Sequence, residues 1–277
     1  MMLPVWIIVV NWNQKHLTLE CLASLHAAAD PACHVLLVDN GSTDGSADAV
    51  RREFPEVEVL ETGANLLYAG GNNAGIARAL AAGAQLIVLL NNDTVVDPGC
   101  TPHLRSRMEA DPRCGIVGPK IYYAEVRDRI WYAGGEMSFW RGELWHRGIR
   151  ETDHGQYDVP GKTGYVTGCC LMIRREALEQ AGRLDESFRM YGEDVDLCVR
   201  VRQAGFDILY EPAARVWHKI SVSSGGHLAW LKQRRKAVSM ARFFARHAAW
   251  YQLPVMLFLA PLANAAAAIR YLLTARR

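Results

Sequence analysis

The chain has 277 residues, half of them hydrophobic and 22% charged, which suffices for one large domain or two small ones and excludes disorder as the default state. The net charge of +2 conceals a division: no Asp or Glu follows Glu211, where eleven Lys and Arg lie, whereas the chain up to Glu211 carries 20 basic and 29 acidic residues. Seven cysteines, an odd number without any CxxC pair, point away from a disulfide framework or a zinc site and fit a reducing cytosol.

The first apolar run, in "MMLPVWIIVVNWN", lacks a basic leader region and a small-residue cleavage site, so it reads as a buried strand over residues 5–10 rather than a signal peptide. Leu17, Leu22 and Leu25 then share a helical face. "HVLLVDNGSTDGS" is a second buried strand entering a polar turn, residues 47–54 a short helix, and "VEVLE" a third strand. "GGNNAGIARALAAGA" reads as a Gly-rich turn opening an Ala-rich helix, and "AQLIVLLNNDT" as a fourth strand with a polar end. Alternating strands and helices predict βαβ units and a mostly parallel sheet. Asn11, Asp39 and the run Asn91, Asn92, Asp93 all fall just past strand C-termini, where ligands bind in open α/β sheets.

From about residue 115 the pattern loosens. "WYAGGEMSFWRGELWHRG" predicts short antiparallel strands, "GYVTGCCLMIRREAL" a strand entering a helix, "DVDLCVRVRQAG" a helix closing at Gly205, and "DILYEP" a further strand. Residues 229–250 read as a basic helix, and no charged residue falls in the 22 positions between His247 and Arg270.

The chemistry narrows by exclusion. "NWNQ" stands where a dinucleotide fold needs GxGxxG, and no GxxxxGK[ST] occurs, so neither a Rossmann dehydrogenase nor a P-loop is expected. Asp39 suits a hydrogen bond to a nucleotide base or sugar, with an ordinary Asx turn as the alternative. Asp93 is a hard oxygen donor placed to share a divalent ion with a diphosphate, or a turn cap. "MYGEDVDLCVR" crowds Glu193, Asp194 and Asp196 into four positions. Asp194 suits either a helix cap or a general base, and Asp196 a salt bridge to Arg200 one turn on.

"VVNWN", "VDNGSTDGS", "NLLYAGGNNAGI", "LLNNDT", "MYGEDVDLCVR" and "ARVWH" occur in that order. Together they resemble the inverting family-2 glycosyltransferases of GT-A fold, in particular the bacterial rhamnosyltransferase-like branch of cell-surface polysaccharide assembly, from about residue 5 to 220. The resemblance implies an α/β fold with a Rossmann-like, mostly parallel sheet, helices on both faces and a C-terminal helical appendage. Residues 1–112 would form the nucleotide-sugar-binding half, 113–227 the acceptor-binding and catalytic half, and 228–277 a membrane-associating tail. Asn11 and Asp39 would contact the base, Gly71 and Asn72 the nucleotide sugar, and Asn91, beside Asn92, the ribose. Asp93 and His218 would hold Mg²⁺ or Mn²⁺. Asn91 stands where many relatives have Asp, which reduces the charge around the cation. Asp194 matches the catalytic base, with Glu193 and Asp196 around it. Trp131, Trp140 and Trp145 are candidates to stack on an acceptor, with core packing the equal alternative.

The implied donor is a nucleoside diphosphate sugar, dTDP-L-rhamnose first and UDP-galactose or UDP-N-acetylglucosamine next, and the acceptor a lipid-linked saccharide. A silent nucleotide-sugar scaffold is the reading from another class. A nucleotidyltransferase is a poorer one, because "NWNQKH" lacks a Gly-rich triphosphate loop. The basic tail fits the anionic cytoplasmic face of the inner membrane, peripheral or monotopic, with one span or a self-covering hairpin as alternatives. No nucleic-acid motif accompanies it.

Overall fold

The computed structural model describes residues 3–28, 30–188, 191–219 and 227–256, with side chains of 227–233 excepted; most of the apolar stretch 248–269 lies outside them. Strand β1 (Val5–Asn11) is β-branched and apolar because both of its faces are covered. Helix α1 (Lys15–Ala28) turns Thr18, Cys21, Leu22 and Leu25 inward. Strand β2 (Cys33–Asp39), helix α2 (Ser46–Glu53), strand β3 (Glu58–Glu61), helix α3 (Leu67–Ala81) and strand β4 (Leu86–Asn91) complete a parallel set in the order β4-β1-β2-β3. The register sets Asn11 beside Asp39 and Val10 beside Asn91, so the polar strand ends meet at one edge.

The second half continues the same sheet. Strand β5 (Thr94–Val96), helix α4 (Cys100–Ala110) and strand β6 (Cys114–Tyr123) lead to short strands β7 (Ile130–Tyr132), β8 (Gly135–Ser138), β9 (Glu143–His146) and β10 (Gly161–Lys162). Strand β11 (Cys170–Arg174) enters antiparallel between β4 and β6, so the sheet is mixed although its first half is wholly parallel. Helices α5 (Arg175–Ala181) and α6 (Glu193–Gln203) precede strand β12 (Asp207–His218), which runs parallel to β6. The far end of β12 pairs antiparallel with β5, setting His218 against Thr94. Helix α7 (His227–His247) follows; among the described residues no helix is long and apolar enough to cross a membrane.

"GGNNAG" is not a turn. It lies within α3, and its glycines bring helix and sheet together: a Cβ on Gly75 would sit 2.5 Å from Ile8 Cγ2, and one on Gly71 2.8 Å from Val10 Cγ1. The turn precedes it and hangs on Asn40, whose Oδ1 accepts from Leu66 N (3.1 Å) and whose Nδ2 donates to the Leu67 carbonyl (3.1 Å).

Candidate functional site

Three clusters converge at the C-terminal edge of the parallel strands. The first is a knot around Asn11. Its Nδ2 donates to Asp39 Oδ1 (3.1 Å) and Ser42 Oγ (3.0 Å), and its Oδ1 accepts from Thr18 Oγ1 (2.8 Å) and Asn92 Nδ2 (3.1 Å). The Asn11 side chain is fully buried and its hydrogen-bonding capacity is spent inside the protein, so it positions Asp39 rather than touching a base. Asp39 also accepts from Ser42 N (3.2 Å), the Asx-like turn anticipated from "DNGS". Asn92 points back into this knot, and Asn91 remains half-buried at the strand end.

The second cluster is Asp93 with His218. Lys219 N donates to the Asp93 carbonyl (2.8 Å), so the end of β12 carries His218 to the carboxylate. Asp93 Oδ1 and His218 Nε2 are 3.2 Å apart, yet Oδ1 is buried without a hydrogen-bond partner, as is His218 Nδ1. A divalent cation would resolve the first of these. Ligands at right angles around Mg²⁺, with bonds of about 2.1 Å, stand roughly 3 Å apart. Two protein ligands suit an ion that completes its shell with water and substrate phosphates. The Trp131 ring meets His218 and His146 edge-on, at 4.7 Å each, and burial holds His146 near a pKa of about 4, hence neutral.

The third cluster opens α6. The helix is capped not by Asp194 but by Gly192, whose φ of 97° is a conformation glycine tolerates at no steric cost. Asp194 Oδ2 accepts from Gly168 N (2.7 Å) and Oδ1 from Val195 N (2.8 Å). Burial raises its pKa, and these backbone donors pull the other way. Tyr68 donates to the Gly168 carbonyl (2.7 Å), tying α3 to the same corner. Glu193 is buried, its Oε2 has no partner, and burial plus the neighbouring Asp194 charge push it up to about 8. Asp196 does not face the cleft. It is fully buried and binds Arg200 Nε (2.7 Å), Arg246 Nη1 (3.1 Å) and His247 Nε2 (2.8 Å), which locks α6 to α7.

The second and third clusters share one neighbour. Asn91 N donates to the Cys169 carbonyl (2.9 Å), and adjacent Gly168 donates to Asp194. Burial, then the charges of Asp93 and Asp194, push the Cys169 thiol well above its ordinary value, so both carboxylates bear on one buried sulfur. A cavity of about 290 Å³ lined by Tyr122, Arg127, Asp153 and Trp217 contains none of these groups; Trp217 lies on the strand face opposite His218. Two expected ligand contacts do not survive. Gly71 is buried against Val10 and Asn40, and Asn72 is buried with Nδ2 donating to the Tyr68 carbonyl (2.9 Å). Trp140 sits between β8 and β9, its ring 5.8 Å from that of Tyr251. Thr18 lies outside every motif, and Asn40, Ser42 and Tyr68, although inside two of them, are not singled out by the sequence, because the role of each depends on partners 7 to 100 positions away.

Residues 6–182 match the profile described as Glycosyl transferase family 2. The chain belongs to glycosyl transferase family 2. This family-2 chain is similar to the N-acetylglucosaminyl-diphospho-decaprenol L-rhamnosyltransferase of Mycobacterium tuberculosis, 34% identical over 84% of this chain and 82% of the relative. It is also similar to the O-antigen biosynthesis protein RfbC of Myxococcus xanthus, 29% identical over 79% of this chain and 17% of that one. The glycosyltransferase is therefore rhamnosyltransferase-like. Its GT-A fold is shared with solved structures of much lower identity. GalNAc-T7 with UDP, GalNAc and Mn²⁺ has a TM-score of 0.63 at 16% identity, covering 83% of this chain and 48% of that one. The mannosyltransferase PcManGT of Pyrobaculum calidifontis with GDP-Man and Mn²⁺ has 0.61 at 18%, covering 100% and 80%.

A titration consequence belongs to Glu193. A carboxyl whose pKa rises from 4.5 to about 8 on folding contributes stability that is complete below pH 4.5 and is lost as pH climbs towards 8. Glu193→Gln, an isostere of the protonated form, is expected to melt with the wild type at pH 5 and several degrees above it at pH 9. Melting curves across that range test this; a constant gap between the two proteins would remove the assignment.

Proposed function

We propose that this family-2 glycosyltransferase transfers a sugar, with inversion, from a nucleoside diphosphate donor to a lipid-linked saccharide during cell-surface glycan assembly. L-rhamnose from dTDP-L-rhamnose is the preferred donor sugar, supported by the mycobacterial relative, whose name pairs that sugar with a diphospho-decaprenol acceptor. The observation that carries the reading is that residues 168 and 169 join two unlike sites: Gly168 N donates to Asp194 (2.7 Å), and the Cys169 carbonyl accepts from Asn91 N (2.9 Å), two residues before the Asp93 that meets His218.

In one displacement the acceptor oxygen bonds to the anomeric carbon as the bond to the diphosphate oxygen breaks. Asp194 takes the acceptor hydroxyl proton. Inversion needs a single carboxylate base and no second carboxylate as nucleophile, and Glu193, protonated at neutral pH, leaves Asp194 that role. Asp93 and His218 would hold Mg²⁺ or Mn²⁺, which when bound neutralises charge on the leaving diphosphate. A lipid-linked acceptor together with a nucleotide-sugar donor supports a position at the cytoplasmic face of the membrane.

The test is a panel of nucleotide sugars screened for metal-dependent thermal stabilisation, followed by transfer to N-acetylglucosaminyl-diphospho-lipid. The expected result is stabilisation by dTDP-L-rhamnose with Mg²⁺ or Mn²⁺, at free ligand a hundredfold above Kd amounting to about 2.7 kcal/mol, and release of dTDP. Stabilisation and turnover with a UDP-hexose instead would replace the donor; binding without turnover would indicate a scaffold.

A further inference from the structure

Three exposed rings from two distant segments form a chain of contacts through Tyr251. Trp140, at the turn between β8 and β9, has its ring 5.8 Å from Tyr251, and Tyr251 lies 5.9 Å from Trp250. They are 52%, 51% and 81% exposed. Contiguous aromatic surface of this kind is unfavourable in water and marks a docking face.

The patch is tied into the fold by its neighbours. Phe139, next to Trp140, packs at 6.0 Å on both Phe243 and Phe244 of α7. The same helix grips the segment leading into α6. Arg242 donates to the Ser187 carbonyl, Arg246 pairs with Asp185 (2.5 Å), and both guanidinium groups lie over the Phe188 ring at 5.9 and 5.5 Å. Met240 approaches Gly192, the cap that precedes Glu193 and Asp194. A surface seated on the three rings is therefore joined through α7 to the residues that orient Asp194.

Two features identify the occupant. Arg235 and Lys236 are exposed on α7, and no acidic residue follows Glu211 to offset them. Directly beyond Tyr251 the sequence stays free of charge until Arg270. Trp and Tyr concentrate at the headgroup level of bilayers, where the ring is buried and its N–H or O–H stays wet, and basic residues add attraction to anionic lipid. A protein partner or a second copy would cover the rings, but neither calls for exposed basic residues on α7 followed by a charge-free, largely apolar stretch of sequence.

We infer that Trp140, Trp250 and Tyr251 form an interfacial anchor that seats the enzyme on an anionic lipid bilayer, with α7 as the strut that sets the height of the catalytic cleft above the headgroups. The inference rests on the lipid-linked acceptor reading, and its test separates the two. The full chain is sedimented with vesicles of phosphatidylethanolamine containing one quarter phosphatidylglycerol, alongside Trp250→Ala/Tyr251→Ala. The wild type should pellet with the vesicles, more at low salt. The double variant should bind roughly tenfold or more weakly, since each tenfold corresponds to about 1.4 kcal/mol and burying a large apolar side chain yields more than that. The variant should keep its melting temperature, its stabilisation by donor nucleotide, and transfer to a short-chain, water-soluble acceptor, while losing transfer to acceptor embedded in vesicles. Equal vesicle binding by both proteins, or none by the wild type, would overturn the anchor even with transfer intact. A dimer that becomes monomeric in the variant without change in vesicle binding would reassign the patch to contact between copies. Absence of transfer to either acceptor, with vesicle binding as expected, would remove the acceptor reading and leave the anchor.

Discussion

Replacing Asp194 with asparagine is expected to lower kcat by about a hundred- to ten-thousand-fold, the usual contribution of a positioned general base. KM for the donor should change little, because Asp194 meets the acceptor hydroxyl and not the nucleotide. The substitution also turns one amide N–H toward either Gly168 N or Val195 N, both of which donate to the native carboxylate. Some loss of stability, on the order of 1–3 kcal/mol, is expected from that donor facing a donor. Donor-induced stabilisation therefore has to be measured beside turnover: retained stabilisation with lost turnover identifies the base, and unaltered turnover refutes it. Glu193→Gln is the matched control one position away. It removes a carboxyl that is protonated at neutral pH, so its kcat should stay within severalfold of wild type there.

Replacing Asp93 with alanine is expected to abolish the cation-dependent part of nucleotide binding and to reduce transfer by a hundredfold or more, since removing one group that stabilises a leaving charge typically costs about 10²–10³ in kcat. The distinguishing measurement is the stability of the protein without nucleotide. Asp93 Oδ1 is buried and unpartnered, so deleting it should leave the melting temperature unchanged or raised. A carboxylate with a purely structural role would lower it. His218→Ala should likewise cut the Mn²⁺-dependent rise in melting temperature with nucleoside diphosphate. If both variants respond to Mn²⁺ and nucleotide as the wild type does, the pair is not a cation site.

Much of this arrangement was open to reading along the chain. Polar residues after buried strands mark the binding edge, because a parallel strand covered on both faces must be apolar and any break in that rule sits at its end. Asn11, Asp39 and Asn91 are of this kind, and the parallel register then sets them side by side. "GGNNAG" misled because glycine serves two ends: a tight turn, or close approach of a helix to a sheet. The close contacts with Val10 and Ile8 show the second. Trp140 was ambiguous because a tryptophan packs in a core as readily as it stacks on an acceptor, and only the folded chain shows that it is 52% exposed beside Tyr251.

The sequence by itself determined the family, the order of the elements, the strand ends that carry the site and the separation of an acidic body from a basic tail. These depend on local periodicity and on composition, which a linear chain displays. Only the tertiary structure decided that Asn11 is spent as a support, that Asp93 and His218 meet at 3.2 Å, that Glu193 Oε2 is buried without a hydrogen-bond partner, and that Asp196 locks α6 to α7. Those outcomes follow from burial and from partners far apart in the chain, because the free energy of a polar group depends on which donors, charges and solvent surround it after folding.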